Sequence, residues 1–178
     1  MVCKVEVDKR NNLGYGICDG EFIGRTLGYD VYAEYDDKNY TTVWVYDCSK
    51  SKRFRAFKGE VLETRYRIAA SIELYKERGA WEVAMVMVDS RYKGKNLAAK
   101  LYKFLLKKMD ITLMAGSTQS PGGRYVWNKL AKERGVTVYA KPSRYSMKID
   151  FPKSGKKELY SDMFDLYDSN AEIFAVAA

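Results

Sequence analysis

Residues 81–109 read WEVAMVMVDSRYKGKNLAAKLYKFLLKKM, and the order of residue types in this stretch decides the fold class. Residues 81–88 form a short, mostly apolar run containing Trp81, Val83, Val86 and Val88, the length and composition of a buried strand. Residues 89–96 are polar, carry Arg91, Lys93 and Lys95, and contain Gly94. From Leu97 to Met109 the apolar residues Leu97, Leu101, Phe104 and Leu105 recur at the spacing of one helix face. A strand that ends in such a turn and feeds a helix aims several backbone N–H groups and a helix dipole at one point. That arrangement suits a phosphate or pyrophosphate. Without any ligand, the same turn serves as a basic, solvated link between two core elements.

The flanks extend this pattern. Residues 110–140 read DITLMAGSTQSPGGRYVWNKLAKERGVTVYA: a short strand at 111–114, a polar loop, a helix, and a strand at 136–140. Ser120 followed by Pro121 is an N-terminal helix signal, Val126, Trp127 and Leu130 give that helix its apolar face, and Gly135 ends it. Upstream, Ile68, Ala70, Ile72 and Leu74 alternate with Arg67, Ala69, Ser71 and Glu73, so 66–75 reads as a strand that turns at 76–80 into 81–88. Residues 2–7, 30–34, 41–47, 143–150 and 171–177 are further strand candidates, and 152–157 is linker-like. Tyr29, Tyr32, Tyr35 and Tyr40 crowd one region, either covering a core edge or forming a substrate-facing or base-stacking wall.

A chain of 178 residues is the size of one domain, with 1–60 the least patterned part, 66–140 the core and 158–178 an acidic segment. The longest apolar run, residues 83–88, is far short of the roughly 20 residues that span a bilayer. Residues 1–8 show no charged-then-apolar leader pattern, so a cytoplasmic location is expected. Cys3, Cys18 and Cys48 are widely spaced and read as reduced thiols rather than as a disulfide framework or a zinc site; no metal is expected. The chain has no histidine, which excludes Ser-His-Asp and Cys-His chemistry and leaves proton transfer to carboxylates, tyrosine, lysine, cysteine or water. Residues 158–178 hold five acids and no Lys or Arg, so the rest of the chain carries 31 basic against 18 acidic side chains. Such a body implies a polyanionic partner, or simply a soluble surface. Lys50, Lys52, Arg53, Phe54, Arg55, Phe57 and Lys58 interleave charge and aromatic rings, as a nucleic-acid surface does and as a charged edge strand also does.

The stretch Val88-Asp89-Ser90-Arg91-Tyr92-Lys93-Gly94-Lys95-Asn96-Leu97-Ala98 resembles the cofactor-binding signature V-x-P-x-Y-R-G-K-G-L-G/A of the GCN5-related N-acetyltransferase superfamily. Residues 120–131, SPGGRYVWNKLA, are similar to that family's N-x-x-A-x-x-x-Y-x-x-L-G, and their wording resembles acyltransferase-like proteins of bacteriophages. The resemblance covers roughly residues 66–140. It implies an α/β fold with a mixed, mostly antiparallel central sheet flanked by helices. It also implies a strand end splayed from its neighbour to admit the pantetheine arm of acetyl-CoA, or of another acyl-CoA.

By the same resemblance the backbone of Met87 and Val88 and the turn Lys93, Gly94, Lys95, Asn96, Leu97 and Ala98 bind the cofactor, with Ser120 and Trp127 near its thioester end. Three positions depart from the family pattern. Lys93 stands for Arg or Gln, Asn96 for a glycine, and Trp127 for the tyrosine that protonates the leaving thiolate. An indole N–H cannot act as that acid. Ser120, Tyr125 and Tyr139 are the substitutes, and Glu82, with Glu73 beside it, is the candidate base. Ser120 also reads simply as a helix N-cap. The expected activity is acetyl transfer from acetyl-CoA to an amine by direct attack. The alternatives on the same fold are a Mom-type phage DNA-modification enzyme acting on adenine, and an altered binding protein acting on a host macromolecule.

Overall fold

The computed structural model describes residues 12–55, 62–116, 119–142 and 171–178. The strand candidates at 2–7 and 143–150, the linker at 152–157, most of the acidic segment, Cys3, Phe57 and Lys58 lie outside the described residues. The protein is a mixed α/β structure with two helices, and its described strand pairings are antiparallel except one. It gathers into two compact units, one from the residues up to Leu74 with Met85–Ala98, the other from Tyr75–Ala84 with the residues from Ala99 onward.

The first unit contains β1 (Tyr15–Gly16), β2 (Glu21–Thr26), β3 (Tyr29–Tyr35), β4 (Tyr40–Arg55), most of β5 (Leu62–Glu77) and the end of β6 (Ala80–Val88). Its strand order is β2-β3-β4-β5, with β1 antiparallel to β5 at Tyr15↔Arg67 and Gly16↔Tyr66. β3 lies antiparallel along β4 from Asp30↔Tyr46 to Tyr35↔Thr41. Over that span β4 is buried at every residue from Thr41 to Tyr46, whereas from Cys48 to Arg55 it is exposed apart from half-buried Phe54. The sequence reading ended this strand at residue 47; the strand goes on for eight residues past Asp47, beyond its pairing with β3, as far as Arg55. Charged residues dominate that extension, and no apolar alternation marks it in the sequence.

Where β6 ends, one carboxylate organises the chain. Asp89 is fully buried, and its side chain accepts from the backbone N–H of Leu13 (2.9 Å), from the N–H of Arg91 (3.0 Å) and from two guanidinium nitrogens of Arg91 (2.7 and 2.5 Å). It thereby caps the single 3-10 turn Ser90–Tyr92 and pins the segment before β1 to the end of β6. The Asp89 N–H itself donates to Ala69 O on β5 at 3.0 Å.

The second unit contains the β5–β6 turn, α1 (Leu97–Lys108) from Ala99 onward, β7 (Leu113–Ala115), α2 (Pro121–Ala131), β8 (Val136–Pro142) and β9 (Ala171–Ala177). Arg78 (φ 51°) and Gly79 (φ 82°) both take the left-handed conformation, the pair of angles that a two-residue hairpin turn of the primed type needs. β6 and β7 run parallel, in register Trp81↔Leu113, Glu82↔Met114, Val83↔Ala115, and α1 is the crossover that a parallel pair requires. The strand order is β6-β7-β9-β8, so the last strand inserts between β7 and β8. Leu101, Tyr102, Leu105 and Leu106 of α1 are fully buried, a wider face than the predicted stripe, and Phe104 is only half-buried. α2 buries Trp127 and Leu130, and the Trp127 and Tyr102 rings meet edge-on at 5.6 Å. Beyond α2, Glu133 accepts from Lys100 Nζ (2.8 Å) and Lys103 Nζ (2.9 Å) on α1, and these bonds hold its carboxyl below the ordinary range.

Two stability predictions follow from these anchors. Asp89→Ala should lower the unfolding free energy in urea by about 3 kcal/mol, because it strips partners from a buried N–H and from a guanidinium. Glu133 has its folded pKa below its unfolded value of 4.5. Its contribution is present above that value and is lost as the pH falls through the lowered one. Glu133→Gln should therefore flatten the acid limb of the stability profile, as read by thermal melts in a pH series.

Candidate functional site

The turn after β6 begins with the Asp89 cap and continues through Lys93, Gly94, Lys95 and Asn96, all exposed, into α1. Gly94 (φ 80°) and Asn96 (φ 55°) are both left-handed. A Cβ on Gly94 would meet nothing within 4 Å, so the backbone conformation and not crowding calls for glycine there. Asn96 is the residue type that next best tolerates this conformation. Leu97 and Ala98 are buried and offer this surface only backbone N–H groups. The two turn lysines differ. Lys95 Nζ donates to Tyr29 Oη at 3.2 Å and lies over the Tyr29 and Tyr92 rings, at 5.9 and 5.3 Å. The Lys93 side chain is exposed and has no partner among the described residues.

The tyrosine wall predicted at 29–40 is thus partly a buttress for the turn. Tyr29 packs edge-on against buried Tyr92 at 5.5 Å, and Tyr92 Oη donates to Asp47 Oδ2 at 2.7 Å. Burial first, and then that bond to a carboxylate, push the Tyr92 hydroxyl well above the ordinary tyrosine range. Burial alone would raise Asp47; the bonds from Ser49 and Tyr92 outweigh it and hold that carboxyl low. Tyr32 instead packs on Phe22 and Tyr46, and Tyr35 is exposed. Met87 is half-buried against Leu13, Trp44, Tyr46 and Ile68, and Val88 is half-buried at the strand end.

A second polar group stands at the end of the β6/β7 pair. Pairing stops at Val83↔Ala115, and the next residue, Gly116, lies so close to Val83 that a Cβ would sit 2.8 Å from the Val83 carbonyl oxygen and 3.3 Å from Glu82 Oε1. Gln119 Nε2 donates to Gly116 O at 3.1 Å, and its Oε1 occupies the space that a Cβ on Gly123 would take. Ser120 Oγ accepts from the Gly123 N–H at 3.1 Å as the N-cap of α2, with Pro121 in the first turn. Glu82 and Gln119 both border Gly116, and Gln119 and Ser120 both border Gly123; sequence reasoning missed Gln119. The glycine immediately after a strand and the glycine pair behind Ser120 were its signal.

Tyr125 is exposed, with Lys129 Nζ 5.4 Å from its ring centre, and Tyr139 stacks on Phe174 at 5.5 Å in the cluster of Ala80 and Met114. Trp127 has no exposed surface, and its indole N–H has no hydrogen-bond partner among the described residues. Glu73 is half-buried on β5. Cys18 and Cys48 are free thiols; burial and the neighbouring Asp30 push Cys48 up to about 12, which leaves it a neutral thiol rather than a nucleophile. Among the described residues no cluster of three or more Cys, Asp or Glu side chains could hold a metal, and no helix is long and apolar enough to cross a membrane.

Scans against protein-family models, curated proteins and solved structures find no match to the chain.

The two glycines respond differently to substitution. Gly94→Ala should cost about 1 kcal/mol from the left-handed backbone alone. Gly116→Ala should cost more, about 1–3 kcal/mol, because backbone must move to admit the methyl group. Urea unfolding of the two variants checks the order.

Proposed function

We propose that the chain transfers an acetyl group from acetyl-CoA to an amine, as an N-acetyltransferase of the GCN5-related type. The observation that carries the proposal is the conformation of the turn after β6. Two left-handed residues, Gly94 and Asn96, precede a twelve-residue helix whose first two side chains are buried. Such a turn presents backbone N–H groups to an anion, and Lys93 adds a charge with no competing partner. The mixed sheet supports the same reading. Its parallel pair, β6 and β7, is joined for three residues, after which β6 continues to Val88.

Acetyl-CoA would supply the thioester. In the direct route the amine nitrogen forms a bond to the acetyl carbon as the carbon–sulfur bond breaks, and the sulfur leaves with its electron pair. Glu82 is the carboxylate suited to take the proton that the amine sheds. Ser120, whose oxygen already accepts from Gly123, keeps its own hydrogen for the departing sulfur. Gln119, between Gly116 and Ser120 in the chain and bonded to Gly116 O, would orient the amine.

Titration calorimetry with acetyl-CoA and desulfo-CoA tests the proposal. Saturable micromolar binding of both is expected, and Lys93→Ala should weaken it about tenfold, the value of one charge-assisted hydrogen bond. Lys95→Ala should matter less, because Lys95 is already committed to the tyrosine pair. Absence of binding to either compound would overturn the proposal.

A further inference from the structure

The exposed part of β4 and the facing part of β5 carry a cluster that the acyl-transfer reading does not use. Lys52 Nζ lies 4.9 Å from the centre of the Tyr15 ring, and the Arg67 guanidinium lies 4.4 Å from the same ring. Arg67 Nη2 also donates to Tyr15 Oη. Phe54 packs beside Tyr15 at 6.2 Å, and the Arg65 guanidinium lies 4.9 Å from the Phe54 centre. Three cations therefore cover two rings, with Tyr15 on β1 paired against β5 at Arg67 and the other residues on β4 and β5. Arg53 and Arg55 flank Phe54 in β4, are exposed, and by strand alternation project from the opposite face.

Among the described residues acid does not balance this charge. Arg65 pairs with Glu63 at 2.7 Å, but no carboxylate pairs with Arg67 among the described residues, and its Nη1 is buried without a hydrogen-bond partner. That nitrogen is closed to an outside anion, whereas exposed Lys52, Arg53 and Arg55, likewise without a carboxylate partner among the described residues, are open to one. Charges placed only to protect an exposed strand edge need no such arrangement, since one solvated lysine suffices.

The rings decide which polyanion fits. Sequence reasoning offered Phe54 as a surface for stacking bases, but its face and that of Tyr15 are already occupied by Arg65, Arg67 and Lys52. The rings hold the cations in place rather than receiving bases. Past the β1 pairing at residues 66–67, β4 and β5 carry cations on both faces, Lys52 and Arg65 on one and Arg53 and Arg55 on the other, and such a ribbon matches a target with phosphates on both sides of it. The major groove of duplex DNA has that form and admits a two-stranded ribbon, whereas the A-form groove of duplex RNA is too narrow.

We propose that the β4–β5 arm, through Lys52, Arg53, Arg55, Arg65 and Arg67, binds duplex DNA by its phosphates, without base stacking. This inference is independent of the acetyl-CoA site. Fluorescence anisotropy of the full chain with a labelled 20-base-pair duplex, across a salt series, tests it, with single-stranded DNA, duplex RNA and heparin as competitors. Binding should weaken with salt at a slope of about −0.9 per phosphate contact, and the double variant K52A/R53A should reduce that slope by about 2. Both residues are exposed, and circular dichroism and urea unfolding should show the variant folded as the parent. Phe54→Leu should weaken binding severalfold while leaving the slope nearly unchanged, because it loosens Arg65 without removing a charge. Three outcomes would overturn the proposal: no duplex binding at low salt, an unchanged slope in K52A/R53A, or competition by heparin or single strands as effective as that by duplex DNA.

Discussion

The buried carboxylate of Asp89 is the constraint on which the end of β6 and the turn after it depend. A carboxylate with no solvent access is tolerable only when its oxygens are satisfied, and here Leu13, Arg91 and the cap of the 3-10 turn do so. Because one oxygen binds the Leu13 N–H, the segment before β1 cannot leave without orphaning a charge. Because the other binds the Arg91 N–H, the chain must turn at once after β6. Tyr92 then enters the core, where it bonds Asp47 and receives the edge of Tyr29. What remains outside is the short run from Lys93 to Asn96, held at both ends by buried residues. A turn preorganised in this way loses little entropy when it meets an anion.

The second unit solves a different problem. A parallel strand pair needs a crossover, and α1 provides it by burying a face that includes Leu101, Tyr102, Leu105 and Leu106. The pair is short, and at its end the backbone of Gly116 comes so near to Val83 that only a residue without a side chain fits. Gln119 closes the loop by bonding Gly116 and filling the space beside Gly123, and Ser120 starts α2. Close backbone packing thus determines where the polar groups Glu82, Gln119 and Ser120 stand. The same helix that Ser120 caps commits Trp127 wholly to the core, which is why its indole is remote from solvent.

Much of the architecture was legible in local patterns. The alternation of Ile68, Ala70, Ile72 and Leu74, the Arg78-Gly79 turn, the spacing of Leu97, Leu101 and Leu105, and the Ser120-Pro121 start all correspond to observed elements. These features follow from a residue and its near neighbours. What could not be read depends on partners distant in sequence. Asp89 looked like one more polar turn residue, because its buried state is set by Leu13, 76 residues away. Lys93 and Lys95 looked equivalent until Tyr29 took one of them. Phe54 looked like a stacking surface because Arg65 and Arg67, which cover the rings, lie on the next strand. The full extent of β4 was hidden for the reverse reason: it is charged and exposed where it runs past β3, so no hydrophobic period announces it.

The most direct test of the central claim, that the Asp89-anchored turn is a ready-made anion cradle, is an amide-resolved nuclear magnetic resonance titration with desulfo-CoA. The account predicts that the backbone amides of Gly94 to Ala98 shift together and saturably, and that Asp89→Asn abolishes the concerted response while the protein stays folded. Shifts confined to residues outside the turn, or a response that survives unchanged in Asp89→Asn, would contradict it.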